Sequence, residues 1–167
     1  MSVSTQDIKN LREQTGAGIM DCKNALQLCD GNIEEAIKHI KSKGLEIVQK
    51  KSSREAKEGL IGSYIHVGNQ IGSLVQIGCE TDFVARTDEV KELSHNIAMQ
   101  VAAMNAEFIS KSDMLKSEEE DSSKICLLEQ QYIKDPSITI QDLLNDVIAK
   151  VGENIQVTKI VRFALGE

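Results

Sequence analysis

The strongest constraint on the fold is a pair of strand-like runs that meet at Gly68-Asn69. Residues 60–67 and 71–77 are rich in β-branched and aliphatic side chains, a composition that favours extended backbone. Gly68 and Asn69 both tolerate positive φ angles, which a tight hairpin turn requires. The sequence therefore predicts an antiparallel hairpin near the middle of the chain.

Helical periodicity dominates the first fifty residues instead. Apolar residues recur there at three- and four-residue steps, and turn-forming segments at residues 15–18 and 30–32 interrupt them. We therefore predict three short helices, the third of which ends at Gly44, and a charged connecting helix over residues 45–57. The apolar positions of the three helices are Ile8, Leu11, Ile19, Cys22, Ala25, Leu26, Cys29, Ile33, Ala36, Ile37 and Ile40.

A long helix is predicted to begin after Thr87. The Thr87 hydroxyl can cap its first turn, and the acidic Asp88 and Glu89 suit the positive end of the helix dipole. Residues 110–124 are polar and acidic, which is typical of a mobile linker or loop. The predicted buried stripe of the long helix consists of Leu93, Ile97, Val101, Met104 and Phe108.

A further helix and strand complete the predicted fold. Thr139 and Asp142 have the spacing of a capping box, Gly152 can end the helix, and residues 154–165 alternate like a strand. The fold class is therefore α+β. An N-terminal three-helix domain precedes a small antiparallel three-stranded sheet packed with helices.

Composition excludes several classes of protein. A net charge of −7 over 167 residues disfavours general nucleic-acid binding. The start of the sequence does not resemble a signal peptide, and no apolar run approaches the roughly 20 residues of a membrane helix. We therefore expect a cytoplasmic protein that contacts neither nucleic acid nor membrane.

The four cysteines do not have the spacing of a zinc site or of a dense disulfide framework. We expect reduced thiols, with one intersubunit disulfide as the alternative. A phosphate-binding glycine loop is also missing. The chain is therefore predicted to bind no metal, nucleotide or other cofactor of its own.

Cys79 and His66 are the candidates for covalent chemistry. They lie on adjacent predicted strands and could approach each other, as a thiol nucleophile and its base must. No second acid and no flanking glycine pattern accompany them. A thiol enzyme is therefore kept as a rival hypothesis only.

The polar segment after the second strand contains an unusual aromatic residue. Phe83 and Val84 lie between charged residues where the chain turns toward the long helix. One interpretation is that both side chains fold back under that helix as a hydrophobic staple. The other is that an exposed Phe83 anchors another protein.

Several segments resemble the bacterial elongation factor Ts family. They are LREQTGAGIMDCK at residues 11–23, TDFVART at residues 81–87, LLEQ at 127–130, KDP at 134–136 and VGENI at 151–155. These matches lie in order across nearly the whole chain, and the first two motifs are long and unusual. Chance similarity does not explain them.

The resemblance implies a domain organisation and a function. Residues 1–53 would form a ubiquitin-associated-like three-helix domain, and residues 54–167 an α+β core and dimerisation domain. The implied function is guanine nucleotide exchange on elongation factor Tu during translation. The factor would bind the GDP-bound partner, release GDP and hold the nucleotide-free form, without making or breaking a covalent bond.

The resemblance also implies roles for particular residues. Thr81, Asp82, Phe83 and Val84 would press beside the nucleotide site of the GTPase and dislodge its Mg²⁺. The residues implied in binding the partner elsewhere are Arg12, Ile19, Met20 and His66. For Ile19 and Met20, packing inside the small helical domain is the alternative.

The chain departs from the family pattern in two respects. Longer members carry a second copy of the core fold, whereas residues 110–126 offer only a polar bridge here. We therefore expect a homodimer to complete the partner surface. At the hairpin tip, Gly68-Asn69-Gln70 replaces the more usual glycine pair and basic residue. A passive binding module or chaperone for the same GTPase is the alternative function.

Overall fold

The structure is a computed structural model that describes residues 3–114 and 121–167. Its backbone divides into two compact units, Met1–Ser52 and Ser53–Glu167. The first unit is helical, and the second combines helices with antiparallel strands. The predicted α+β fold class is confirmed.

Three helices make up the first unit: α1 (Thr5–Thr15), α2 (Ile19–Leu28) and α3 (Ile33–Lys51). The Ser4 hydroxyl accepts a hydrogen bond from the Asp7 amide at 3.1 Å and caps α1. Gly16 ends that helix with a φ of 66°, in the left-handed region that glycine adopts without strain. The buried core of this unit consists of Leu11, Cys22, Ala25, Leu26 and Ala36.

The prediction that the third helix ends at Gly44 is wrong. Helix α3 continues to Lys51, where the Ser52 amide still donates to the Val48 carbonyl at 2.9 Å. A glycine inside a helix costs only about 1 kcal/mol relative to alanine, so one glycine does not break a helix that is otherwise favourable. The predicted separate helix over 45–57 is the end of α3 followed by a non-helical segment.

A three-stranded antiparallel sheet forms the centre of the second unit. Its strands are β1 (Glu58–Ile65), β2 (Ile71–Cys79) and β5 (Ile155–Ala164), with β2 in the middle. The connection between β1 and β2 contains positive φ angles of 94° at Gly68 and 56° at Asn69. Both the predicted hairpin and the predicted third strand are therefore confirmed.

Shorter elements surround this sheet. The remaining helices are α4 (Asp82–Ala85), α5 (Asp88–Met104), α6 (Ser122–Ile125) and α7 (Ile140–Val151), and a second, two-stranded sheet consists of β3 (Gln131–Tyr132) and β4 (Asp135–Thr139). The caps predicted at Thr87, Thr139 and Gly152 are confirmed, since each occupies the end of its helix with the expected hydrogen bond.

One face of the sheet packs on α5. Ser73 of β2 donates to the Ala98 carbonyl at 2.6 Å, and the Arg162 guanidinium of β5 donates to the Ala102 carbonyl at 3.0 Å. The register shifts between Gln76 and Ile77, where β5 contains one extra residue, a β-bulge. On both sides of the bulge, the inward-facing residues of β5 pair with inward-facing residues of β2. The inward residues of the sheet and the buried residues of α5 include Val75, Ile77, Ile155, Val157, Val90, Leu93, Ile97 and Val101.

Two residues of the predicted α5 stripe lie elsewhere. Met104 is 46% exposed, and Phe108 lies beyond the end of the helix, where it bridges to Cys126. Helix α5 ends because Asn105 adopts a left-handed conformation with a φ of 47°. The buried face instead includes Gln100, whose amide group donates to Gln130 at 3.1 Å.

The predicted linker over residues 110–124 contains local structure. A 3₁₀ turn spans Lys111–Asp113, and α6 begins at Ser122. Much of the acidic run, residues 118–120, lies outside the described residues. Neither this structure nor the β3–β4 hairpin was expected from the sequence, because the segments are too short to show a periodicity.

Gly62 provides a direct test of the contact between β1 and α5. A Cβ atom at this position would lie 2.6 Å from the Ser94 hydroxyl and 2.9 Å from the Ser94 Cβ. We expect Gly62→Ala to lower the free energy of unfolding by about 1–3 kcal/mol. Urea denaturation would measure the loss, with Ser63→Ala on the outer face as a control.

Ser94→Gly should reduce this cost, because it removes the two side-chain atoms that the methyl group introduced by Gly62→Ala would meet. The loss on changing Gly62 should therefore be smaller in the Ser94→Gly background than in the wild-type background. Equal losses in both backgrounds would show that the strand and the helix do not approach this closely.

Candidate functional site

The turn that follows β2 is held by two successive threonine caps. The Thr81 hydroxyl accepts a hydrogen bond from the Val84 amide at 3.3 Å and begins the short helix α4. The Thr87 hydroxyl donates to the Val84 carbonyl at 2.8 Å and also accepts from the Val90 amide at the start of α5. The turn is therefore fixed at both ends by side-chain hydrogen bonds.

Phe83 and Val84 have opposite environments in this turn. The Phe83 side chain is 77% exposed, whereas Val84 is only 7% exposed and belongs to the core. Of the two interpretations of this segment, the buried staple describes Val84 and the exposed anchor describes Phe83. Thr81 and Asp82 are exposed as well, so three of the four residues singled out in the sequence face solvent.

Asp82 forms an ion pair within the turn. The Arg86 guanidinium donates to the Asp82 carboxylate at 2.8 Å, one helical turn further along. Both side chains are largely exposed, so this pair contributes little to stability. It does hold a negative and a positive side chain on the same short turn as Phe83.

A second segment, between α7 and β5, forms hydrogen bonds with the residues at the base of the turn. The Glu153 carboxylate accepts hydrogen bonds from the Thr81 amide at 3.0 Å and from the Thr81 hydroxyl at 2.8 Å. In the reverse direction, the Glu80 carboxylate accepts from the Asn154 amide at 2.7 Å. We call these four residues, Glu80, Thr81, Glu153 and Asn154, the carboxylate clamp.

Arg54 extends the clamp on its other side. Its guanidinium donates to Glu80 at 3.2 Å, and its backbone carbonyl accepts from the Asn154 side-chain amide at 2.6 Å. Sequence reasoning missed Arg54, Glu80, Glu153 and Asn154 as members of the site. The only signal was the VGENI segment, which carried the family resemblance without indicating a role.

Cys79 is not arranged as a nucleophile. Its thiol is buried and donates to the Thr81 carbonyl at 3.1 Å. Burial and the nearby negative charge of Glu153 raise the pKa of this thiol above its ordinary value, which disfavours the reactive thiolate.

The approach of His66 to Cys79 that a thiol enzyme would need does not occur. Cys79 pairs with Glu58 at one end of the hairpin, and His66 follows Ile65 at the other end. At about 3.3 Å per residue, the two residues are separated by more than roughly 20 Å. Neighbouring antiparallel strands bring residues together only when their register matches.

His66 instead lies beside a small cavity. Its ring accepts or donates a hydrogen bond with the Tyr64 hydroxyl at 3.1 Å, and both residues are among those that line a cavity of about 320 Å³. His66 is exposed. The other lining residues are Ile71, Met99, Ala102, Ala103, Ile133 and Arg162.

The remaining predicted contact residues belong to the helical unit. Ile19 is 55% and Met20 is 62% exposed at the start of α2, so neither is packed inside the small core. Arg12 is exposed near the end of α1. Core packing, the alternative interpretation of Ile19 and Met20, therefore does not describe them.

The described residues contain no group of three or more His, Cys, Asp or Glu side chains that could hold a metal ion. Within the same ranges, every helix is too short or too polar to cross a lipid bilayer.

Comparisons with known proteins agree on one family. The family described as elongation factor TS matches residues 4–124 and 119–167. The chain is 44% identical to the elongation factor Ts of Desulfosudis oleivorans, over 99% of both chains. It is 44% identical to that of Fervidobacterium nodosum over 100% of both chains, and 45% identical to that of Methylacidiphilum infernorum over 99% of this chain and 96% of the relative.

These matches cover the helical unit, the turn and the clamp together, at an identity that establishes common ancestry. The chain therefore belongs to the elongation factor Ts family of translation elongation factors.

Proposed function

We propose that this chain is a guanine nucleotide exchange factor for elongation factor Tu. In this function it binds the GDP-bound GTPase, accelerates GDP release and holds the nucleotide-free form until GTP binds. It makes and breaks no covalent bond. The proposal rests on the family to which the chain belongs and on one structural observation, the exposed Phe83 ring on a clamped turn.

An exposed phenyl ring on a fixed turn has the properties of a binding anchor. Phe83 is 77% exposed, and its neighbours Val84 and Ala85 are buried. The turn therefore loses little freedom when the ring enters a pocket, and the apolar area of the ring becomes available for binding. In the proposed complex Phe83 wedges between side chains of the GTPase beside its nucleotide site.

Asp82 and Thr81 supply the polar part of the proposed mechanism. Both lie next to Phe83 and face solvent. Inserted beside the nucleotide, they would disturb the water and side-chain network around the Mg²⁺ of the partner. That ion neutralises the diphosphate, so its loss weakens GDP binding. Val84 would contribute indirectly, because its buried side chain holds the turn against the core.

Exchange of this kind requires differential affinity. The factor must bind the nucleotide-free, Mg²⁺-free GTPase more tightly than the GDP-bound form. Because such coupling is reciprocal, nucleotide and Mg²⁺ must also weaken the binding of the factor. The exposed residues Arg12, Ile19 and Met20 would supply contacts that do not change between the two states, and His66 would lie at a further contact.

Phe83→Ala tests the proposal directly. We expect it to lower the second-order rate constant of GDP release by about 30-fold, since a hot-spot side chain is worth about 2 kcal/mol. Stopped-flow fluorescence of labelled GDP on elongation factor Tu would measure the rate. The fold should be retained, because the ring is exposed.

Leu45→Ala is the matched control, since Leu45 is a large apolar residue of α3 that is 50% exposed and lies outside the proposed contacts. It should leave the rate within twofold. If Phe83→Ala and Asp82→Ala together leave GDP release unchanged, the exchange mechanism is wrong. If wild-type protein binds the GTPase without accelerating release, the chain is a passive binding module or chaperone.

We further propose that two copies of the chain associate through the open face of the three-stranded sheet. This face carries apolar residues on all three strands. Leu74, on the central strand, lies between Ser63 and Val161 in the register. The exposed apolar residues of the face are Ile61, Ile65, Leu74, Val161 and Phe163.

Such a patch is unusual for a free surface, because apolar side chains on every strand of one face expose a large apolar area to water. A two-fold axis through the sheet would let the same patch cover itself. The second copy would then complete the surface that longer family members build from a second core.

Leu74→Glu tests this association. A carboxylate at the centre of the face should prevent two sheets from meeting, because burying an unpaired charge is costly. Light scattering after size exclusion should give a mass near 18.4 kDa for the variant and twice that mass for the wild type. Ser63→Ala is the control on the same face, and a wild-type mass of 18.4 kDa would contradict the proposal.

Cys79→Ser separates exchange from thiol chemistry. The raised pKa of Cys79 predicts slow alkylation, with a pH midpoint above the usual value of about 8.5. Peptide mass spectrometry after iodoacetamide treatment would measure this midpoint.

In the Cys79→Ser variant, GDP release from elongation factor Tu should persist. Loss of activity in a folded Cys79→Ser protein would favour the thiol enzyme.

A further inference from the structure

The β2–β5 ladder does not stop where its backbone pairing ends. The last paired residues are Cys79 and Ile155. One step further along the two strands come Glu80 and Asn154, and after them Thr81 and Glu153. At these positions carboxylate side chains take the place of backbone carbonyls as acceptors, so the pairing continues across residues that are 74 and 72 positions apart in the chain.

The clamp is reciprocal. Each segment contributes a glutamate followed by a residue whose amide bonds to the opposite glutamate: Glu80 receives the Asn154 amide, and Glu153 receives the Thr81 amide. Hydrogen bonds to a carboxylate are about twice as strong as bonds between neutral groups. The base of the turn is therefore fixed in position relative to β5.

Glu153 also determines how Thr81 caps α4. The Thr81 hydroxyl donates its hydrogen to Glu153 at 2.8 Å, so a lone pair of the same oxygen is left to accept from the Val84 amide at 3.3 Å. Thr81 is exposed, and a hydroxyl in water would otherwise rotate freely. Glu153 thus orients the hydroxyl that caps the helical turn carrying Phe83.

We propose that Glu153 is a positioning residue for nucleotide exchange, which acts through Thr81 by holding the turn that presents Phe83. This inference rests on the proposed exchange function. Glu153 itself need not touch the GTPase. Without it, the turn samples several orientations, and a smaller fraction of bound complexes has Phe83 inserted.

Glu153→Gln is the test variant. The amide and the hydroxyl of Thr81 donate to different oxygens of the Glu153 carboxylate. In Glu153→Gln an NH₂ group, which is a donor, replaces one of these oxygens, so the observed pair of hydrogen bonds is lost. We expect the maximal rate of GDP release at saturating factor to fall about tenfold, the effect of losing roughly one charge-assisted hydrogen bond. The half-saturating concentration should change by less than about threefold, because the other contacts of the factor are unaltered. Glu107→Gln, at an exposed glutamate away from the turn, should match the wild type.

A double-mutant cycle with Phe83→Ala separates positioning from general destabilisation. If Glu153 acts only through the turn, Glu153→Gln should cause a smaller loss in Phe83→Ala protein, where only the contribution of Asp82 remains to be misplaced, than in the wild type. Multiplicative losses in the double variant would overturn the inference. So would an unchanged maximal rate for Glu153→Gln together with a normal loss for Phe83→Ala. If Phe83→Ala has no effect, the exchange proposal fails first, which keeps the two failures distinguishable.

Hydrogen exchange gives a second readout that does not depend on activity. The Thr81 amide should exchange with solvent faster in Glu153→Gln than in the wild type, while amides in the middle of β2 should not change. Equal protection of Thr81 in both proteins would overturn the inference. Glu153→Asp, whose shorter side chain cannot reach both donors, replaces Glu153→Gln throughout if the first variant melts below the assay temperature.

Discussion

The pairing of β2 with β5 is the interaction on which the second unit depends. Strand β2 lies at the centre of the sheet and pairs along its length with strands on both sides. Its inner residues bind it to α5, and its last residues lead directly into the turn that carries Phe83. Beyond the final backbone pair, the carboxylate clamp prolongs the same ladder through Glu80 and Glu153. An exposed aromatic ring is thereby attached to the central strand of the sheet.

The two faces of this sheet have different environments. The inner face is closed by α5, with Ser73 and Arg162 bonded to carbonyls of that helix. The outer face is apolar and open, and in the proposed account it is covered by a second copy of the chain. The turn follows the end of β2, with Val84 and Ala85 buried and Phe83 exposed. In the proposed function, this exposed ring contacts the GTPase while the sheet holds the turn in place.

The sequence predicted most elements of the fold because each has a local signal. Thr87 and Thr139 predict the starts of two helices, and Gly68-Asn69 predicts a hairpin turn. Two helix ends were predicted wrongly. Gly44 is tolerated inside α3 because one glycine costs only about 1 kcal/mol, and Asn105 ends α5 before Phe108 by adopting a left-handed conformation. The turn was recognisable from its motif, but its short length gave no period from which to tell the exposed Phe83 from the buried Val84. The carboxylate clamp could not be predicted from the sequence, because no local pattern links Glu80 to a segment more than seventy residues away.

Nucleotide exchange by this chain is tested by measuring GDP release under turnover conditions. Labelled GDP on elongation factor Tu would be chased with excess GTP at one molecule of this protein per several tens of GTPase molecules. We expect all of the labelled GDP to leave rapidly, because each factor molecule is displaced by nucleotide and acts again. Release of only as much GDP as there is factor, or no acceleration at all, would contradict the proposed exchange function.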